Sequence, residues 1–213
     1  MKENISSKKQ RVCDIIEIFD KVYSDADCTL EYENGLQLLI STQLAAQCTD
    51  ARVNIVAKDL YKKYPDVYAF ANADELELQQ DIKSTGFFRN KARNIIACCQ
   101  MLINEYDGEI PNTMEDLLRL PGVGRKTANL VLGDFFGIPG IVVDTHATRL
   151  SNRMGFTTNS DPYKIEQDLQ KIVPREKWSS FCHQLVYHGR EFCSARSPKC
   201  DSCPINHLCP RKI

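Results

Sequence analysis

The chain has 213 residues, enough for one large domain or two small ones and for burial of roughly 70% of its unfolded surface. Lysine and arginine number 27 against 28 aspartate and glutamate, so there is no overall basic excess, and any face that binds nucleic acid must be a local patch. No stretch approaches ~18 apolar residues and the polar, lysine-containing segment 1–11 lacks the apolar run of a secretion signal, so a soluble, cytoplasmic protein without a membrane partner is expected.

Apolar spacing predicts helices almost throughout. Val12, Ile15, Ile16 and Phe19 share one helical face that starts near Lys8. Asn34 to Leu44 reads as a more buried helix. Val53, Val56, Ala57, Leu60, Tyr61 and Tyr64 form an amphipathic stripe, capped near Thr49 and stopped by Pro65. Asn72-Ala73-Asp74-Glu75 starts another helix. After the turn Thr85-Gly86-Phe87-Phe88, the residues Ala92, Ile95, Ile96, Cys99, Leu102 and Ile103 mark a long helix that ends before Asp107-Gly108. Thr113 caps a short helix, and a second one follows a hairpin and ends at Gly137. The extended segment Ile141-Val142-Val143 leads into a helix that Asp144 can cap and Gly155 closes. Asp161-Pro162 opens the next, and Trp178, Phe181, Cys182 and Leu185 mark a final helix ending at Gly189. No strand is evident, so the class is all-α.

The hairpin, Leu120-Pro121-Gly122-Val123-Gly124, runs straight into Arg125-Lys126-Thr127. Pro121 fixes one backbone angle and two glycines accept angles forbidden to other residues, so the chain reverses in very few residues. Amides left unpaired by such a turn, with the start of the next helix, form a site suited to a phosphate. A nucleotide-binding P-loop is excluded, because that motif needs four residues between its glycines, a lysine directly after the second and a preceding strand. Lys126 falls in the first turn, where the positive end of the helix dipole favours the neutral amine, which is a nucleophile.

Ten cysteines divide into six that are scattered, Cys13, Cys28, Cys48, Cys98, Cys99 and Cys182, and four that are clustered. The scattered six read as small buried hydrophobes. The spacing Cys193-x6-Cys200-x2-Cys203-x5-Cys209 reads as a metal site, and spacing alone leaves tetrahedral zinc open. The histidines His146, His183, His188 and His207 show no metal spacing and read as structural, with His146 a candidate to line a pocket.

The hairpin resembles that of the helix-hairpin-helix DNA glycosylases, and LPGVGRKTAN is similar to the corresponding stretch of the endonuclease III family. The likeness extends through Ser41 to Asp50, through Val142-Val143-Asp144-Thr145-His146, and to the four C-terminal cysteines. It implies a six-helix domain over residues 28–138 containing the hairpin unit at 113–136, and a second helical domain built from 1–27 and 139–213 with a cluster loop at 193–209. It also implies that Lys126 and Asp144 are catalytic, that Cys193, Cys200, Cys203 and Cys209 hold a [4Fe–4S] cluster, and that Gln47 is a wedge inserted into the duplex. Phe87 occupies the second wedge position, where the family commonly has leucine. Gly122, Val123, Gly124 and Arg125 are expected at the DNA backbone, and Arg196 and Lys199 add basic charge beside the cluster. The activity implied is a bifunctional DNA glycosylase and AP lyase of base excision repair, removing oxidised pyrimidines from duplex DNA and cutting 3′ to the abasic site through a lysine Schiff base. The alternatives are a monofunctional mismatch or adenine glycosylase of the same fold, or a non-catalytic DNA-binding protein. A monomer is expected, at the nucleoid if the source is prokaryotic.

Overall fold

The computed structural model describes residues 3–212, and all regular structure among them is helical, in keeping with the apolar spacing. By its internal contacts the chain divides into two compact units, residues 28–138 and residues 1–27 together with 139–213. Helix α1 (Ile5–Val22) opens the latter unit. Its Asn4 cap accepts a hydrogen bond from the Ser7 amide at 2.8 Å, so it begins before the Lys8 expected from the stripe. Ile5 is 58% exposed, and a first turn without a buried residue is invisible to periodicity.

Within residues 28–138, α2 (Gly35–Leu44) is buried on nearly every side, from Leu38 through Leu44, the pattern of a helix at the centre of a core. It is followed by α3 (Asp50–Lys63), α4 (Val67–Ala71), α5 (Glu75–Asp81), α6 (Phe88–Tyr106), α7 (Met114–Arg119) and α8 (Arg125–Asp134). Helix α6 packs on α4 and α5, while α2 touches α3, α6 and α8. Thr49, Asp66, Asp74 and Thr113 each accept a first-turn amide on a side-chain oxygen, worth about 1 kcal/mol apiece. The unit therefore has seven helices rather than six. The additional one, α4, is five residues long, too short to show a period. Helix α8 ends at Asp134 rather than Gly137, which lies in the closing turn at φ +65° while the Ile138 amide returns to the Leu132 carbonyl at 2.8 Å.

In the other unit, α9 (Thr145–Arg153), α10 (Pro162–Gln170) and α11 (Trp178–Glu191) complete the fold. Helix α11 packs on α9 and α1, and Phe19 stacks on Phe181 at 6.2 Å within a core that includes Val12, Ile15, Leu150 and Leu185. Contrary to expectation, α11 runs through Gly189. The His146 ring and Arg149 lie against its bare Cα, where a Cβ would collide, so this glycine permits a close helix contact instead of ending the helix. Among the described residues no helix is long and apolar enough to cross a membrane.

Candidate active site and metal centre

Helix α7 is followed by Leu120, whose buried side chain and that of Val123 root the hairpin in the core. Gly122 has φ +77°, and a Cβ there would stand 2.7 Å from Gln43 Oε1 and 2.9 Å from Asn94 Cβ, so only glycine fits. The expectation of several outward amides narrows here. The Val123 amide donates to the Leu120 carbonyl at 3.1 Å, which holds the turn, whereas neither the Gly122 nor the Gly124 amide donates to another described residue. Gly124 is the N-cap of α8 and has no side chain to satisfy the first helical amides. The Gly122 and Gly124 amides are thus the donors this turn can offer to an anion. Lys126, the second residue of α8, is exposed; Arg125 is half-buried.

Asp144 follows the buried, extended Ile141 and Val143 and caps α9, its Oδ1 accepting from the Ala147 amide at 2.7 Å. It is half-buried, and the cap occupies one oxygen of its carboxylate. Lys126 belongs to the unit of residues 28–138 and Asp144 to the unit that includes 139–213. His146, the second residue of α9, pairs through Nδ1 with the Arg149 guanidinium at 3.1 Å.

Gln47 and Phe87 share two unusual properties. Both are exposed, Phe87 by 62%, and both have left-handed backbone, φ +56° and +47°. Such a conformation costs a non-glycine residue of order 1–3 kcal/mol and persists only where the surroundings impose it. The exposure of the Phe87 ring excludes a place for it in the core. Between the two turns lies Lys91, 5% exposed, whose ammonium donates to the Leu44 carbonyl at 2.7 Å and the Thr85 carbonyl at 2.8 Å. Burial pulls this amine below the usual lysine range, against the pull of the nearby Cys48. Lys91 was not singled out from sequence, although it stands one turn before Ile95 on the stripe that continues to Cys98, Cys99 and Leu102, an ionisable residue in an apolar line.

Cys193, Cys200, Cys203 and Cys209 are half-buried and line a single cavity with about 350 Å³ of protein-free space, its mouth included. Among the described residues no three His, Cys, Asp or Glu side chains converge closely enough to share one metal ion. A tetrahedral zinc, with bonds of about 2.3 Å, requires such convergence. Thiolates spread around a cavity suit a group of several metal atoms, each taking one sulfur. Burial pushes the Cys203 and Cys209 thiols up, and the negative charge of the neighbouring cysteines adds to it, so a cationic group would stabilise all four thiolates together. Protein donors already face two sulfurs, Arg153 at 3.4 Å from Cys193 and the Arg211 amide at 3.4 Å from Cys209, and His188 Nε2 pairs with Cys203 at 3.5 Å.

His188 is 1% exposed, and burial lowers its pKa to about 4, so the ring is neutral and bridges Cys203 to the Tyr23 hydroxyl, 3.0 Å from Nδ1. Reading it as purely structural was incomplete. Its place one turn beyond Gln184 and Leu185, on the buried face of α11, disguised it as core. Arg153 further donates to the carbonyls of Ser194 and Ala195 at 2.7 and 2.8 Å, and Arg149 to that of Cys193 at 3.1 Å, which fixes the loop that leaves Arg196 and Lys199 exposed. Of the scattered cysteines, Cys98, Cys99 and Cys182 are buried, with the Cys98 thiol pushed up to about 12 by burial, whereas Cys13, Cys28 and Cys48 are only half-buried.

Residues 40–175 match the HhH-GPD superfamily of base excision DNA repair proteins, and residues 193–209 match the iron–sulfur binding domain of endonuclease III. Endonuclease III of Synechocystis sp. is 51% identical over 207 residues, covering 97% of this chain and 94% of that protein. The chain belongs to the endonuclease III family. Endonuclease III of Bacillus subtilis is 45% identical, covering 88% of this chain and 86% of its own. A solved structure of a trapped endonuclease III–DNA covalent intermediate superposes with a TM-score of 0.91 at 46% identity, covering 95% of this chain and 96% of that one. As a member of this family the protein is a DNA-binding glycosylase and AP lyase of base excision repair and carries a [4Fe–4S] cofactor.

Proposed function

We propose that Lys126 is the nucleophile and Asp144 its electrostatic partner in excising oxidised pyrimidines from duplex DNA. The observation that carries this reading is an exposed lysine in the first turn of a helix preceded by a hairpin whose Gly122 and Gly124 amides donate to no other described residue. In its neutral form the Lys126 amine attacks C1′ of the damaged nucleotide; the new C–N bond forms as the glycosidic bond breaks, and the base leaves with that electron pair. The Asp144 carboxylate, positioned as the cap of α9, stabilises the positive charge that develops on the sugar. Opening of the sugar ring gives a protonated Schiff base, loss of a C2′ proton expels the 3′ phosphate by β-elimination, and water then releases Lys126. The Gly122 and Gly124 amides, with Arg125, hold a backbone phosphate, and Val123 keeps the hairpin in shape. Gln47 and Phe87 fill the space vacated by the flipped nucleotide.

Cys193, Cys200, Cys203 and Cys209 hold the cluster, which when bound ties four points of the chain together; Arg196 and Lys199 then present positive charge to DNA phosphates. On this reading residues 28–138, with the hairpin unit at 113–136, form one domain, and residues 1–27 with 139–213, including the cluster loop at 193–209, form the other, in a monomeric enzyme. The test is Lys126→Gln assayed on oligonucleotides bearing thymine glycol, uracil, adenine opposite 8-oxoguanine, or an abasic site. The wild type should act on thymine glycol and be trapped on DNA by borohydride; the variant should lose cleavage and trapping and keep DNA binding. Trapping that survives in the variant would place the nucleophile elsewhere.

A further inference from the structure

Lys91 is an expensive residue in its position. An ammonium that is almost wholly buried and, among the described residues, has no carboxylate partner costs stability that an apolar side chain on the same stripe of α6 would not. Its bonds show what it holds. The Leu44 carbonyl ends α2 three residues before Gln47, and the Thr85 carbonyl lies two residues before Phe87. The Lys91 backbone amide also donates to the Phe87 carbonyl at 3.1 Å, so this residue grips the second turn on both sides of Gly86. Leu44 and Thr85 are themselves buried, the latter with its hydroxyl donating to the Ile82 carbonyl at 2.8 Å, while the two left-handed residues beyond them are exposed. Buried anchors thus carry exposed tips, and one side chain joins the anchors.

From this arrangement we infer that Lys91 is a positioning residue that locks the Gln47 and Phe87 turns into one rigid two-pronged wedge, so that both side chains enter the duplex together when a nucleotide is flipped. The inference rests on the wedge role proposed for Gln47 and Phe87. It assigns to Lys91 no contact with DNA; its effect passes wholly through the two turns.

The test uses the full-length, cluster-loaded protein and four forms: wild type, Lys91→Met, Gln47→Ala/Phe87→Ala, and the triple variant. Each is titrated against an undamaged duplex and a duplex holding a tetrahydrofuran abasic analogue, with 2-aminopurine beside the analogue to report unstacking. Lys91→Met should bind undamaged duplex within about twofold of wild type but lose on the order of tenfold or more of the preference for the analogue, the scale of one charged hydrogen bond, along with the fluorescence rise. In the background lacking both prongs it should cost nothing further. Equal loss on both duplexes, an unchanged preference, or the same cost in both backgrounds would overturn the role of Lys91. If the double alanine variant keeps its preference, the wedge reading itself fails, and the inference with it. Should Lys91→Met not fold, Lys91→Gln, which keeps an amide donor for one carbonyl, takes its place and should show a smaller loss of the same kind.

Discussion

The two hairpin glycines look alike in sequence, and the structure separates them. At Gly122 an alanine would have to hold φ +77°, costing about 1–2 kcal/mol. Its Cβ would also press to within 2.7 Å of Gln43 Oε1 and 2.9 Å of Asn94 Cβ, an overpacking of roughly 1–3 kcal/mol. Lower entropy of the unfolded chain returns about 0.4–1 kcal/mol. The net expectation for Gly122→Ala is about 1–5 kcal/mol of lost stability, or roughly 2–18 °C in Tm for a chain of this length. At Gly124 the backbone is extended, φ −98° and ψ 175°, and nothing lies within 4 Å of an added Cβ. Gly124→Ala should therefore stay within about 1 kcal/mol of wild type, the poorer N-cap offsetting the entropic gain. Its effect should appear on DNA: a methyl group beside the unpaired amide should weaken damaged and undamaged duplex to a similar degree, because phosphate contacts carry no base information. Thermal unfolding of the cluster-loaded proteins and anisotropy titrations with both duplexes measure the two effects. Equal destabilisation by the two substitutions would refute the packing argument, and a binding loss confined to one lesion would refute the phosphate argument.

Asp144→Asn retains a side-chain oxygen to cap α9 while removing the charge, so stability should change by less than about 1 kcal/mol while base excision falls on the order of 10² or more; a folded variant of full activity would reduce Asp144 to a cap. Asp168 supplies a pH-dependent case. Burial pushes its carboxyl up, but hydrogen bonds from Thr157 and Asn159, both 2.7 Å, and the Lys171 ammonium at 3.4 Å outweigh this and hold it below the usual range. Its stabilisation is then fully present above the unfolded aspartate value of about 4 and is lost as pH falls through the lower folded value. Wild type should exceed Asp168→Asn in urea denaturation at pH 7, with the difference shrinking in acid; a difference independent of pH would show that the charge is not the source.

Sequence reasoning succeeded where a local rule and the tertiary structure agree. Thr49, Thr113, Asp144 and Asp161 all cap helices as expected, because each pairs a side-chain acceptor with an amide three residues on. It failed where packing overruled the local rule. Gly189 signals an end but lies inside α11, since its missing side chain makes room for His146. The same cause hid the supporting residues of the candidate site. Lys91 and His188 stand at core positions of amphipathic helices, and their bonds reach main-chain carbonyls, a thiol and a hydroxyl that no sequence spacing reveals. The place of Lys126 in the first turn of α8 was legible because the glycine hairpin before it is a continuous stretch of chain, whereas the left-handed backbone of Gln47 and Phe87 has no glycine to announce it.

The division of the chain also sets an order of assembly. Phe19 on α1 stacks against Phe181, 162 residues later, whereas the core of residues 28–138 draws only on its own segment. At a synthesis rate of about 5–20 residues per second, α1 waits on the order of 8–32 s for its mate to leave the ribosome, with Val12, Ile15 and Phe19 bare. The inserted segment can be complete before then. The cysteines at 193–209 emerge after it, so iron and sulfide can enter only a chain whose inserted segment has already been made, and a nascent chain that stalls early presents a greasy helix for chaperones to shield rather than a half-built cluster.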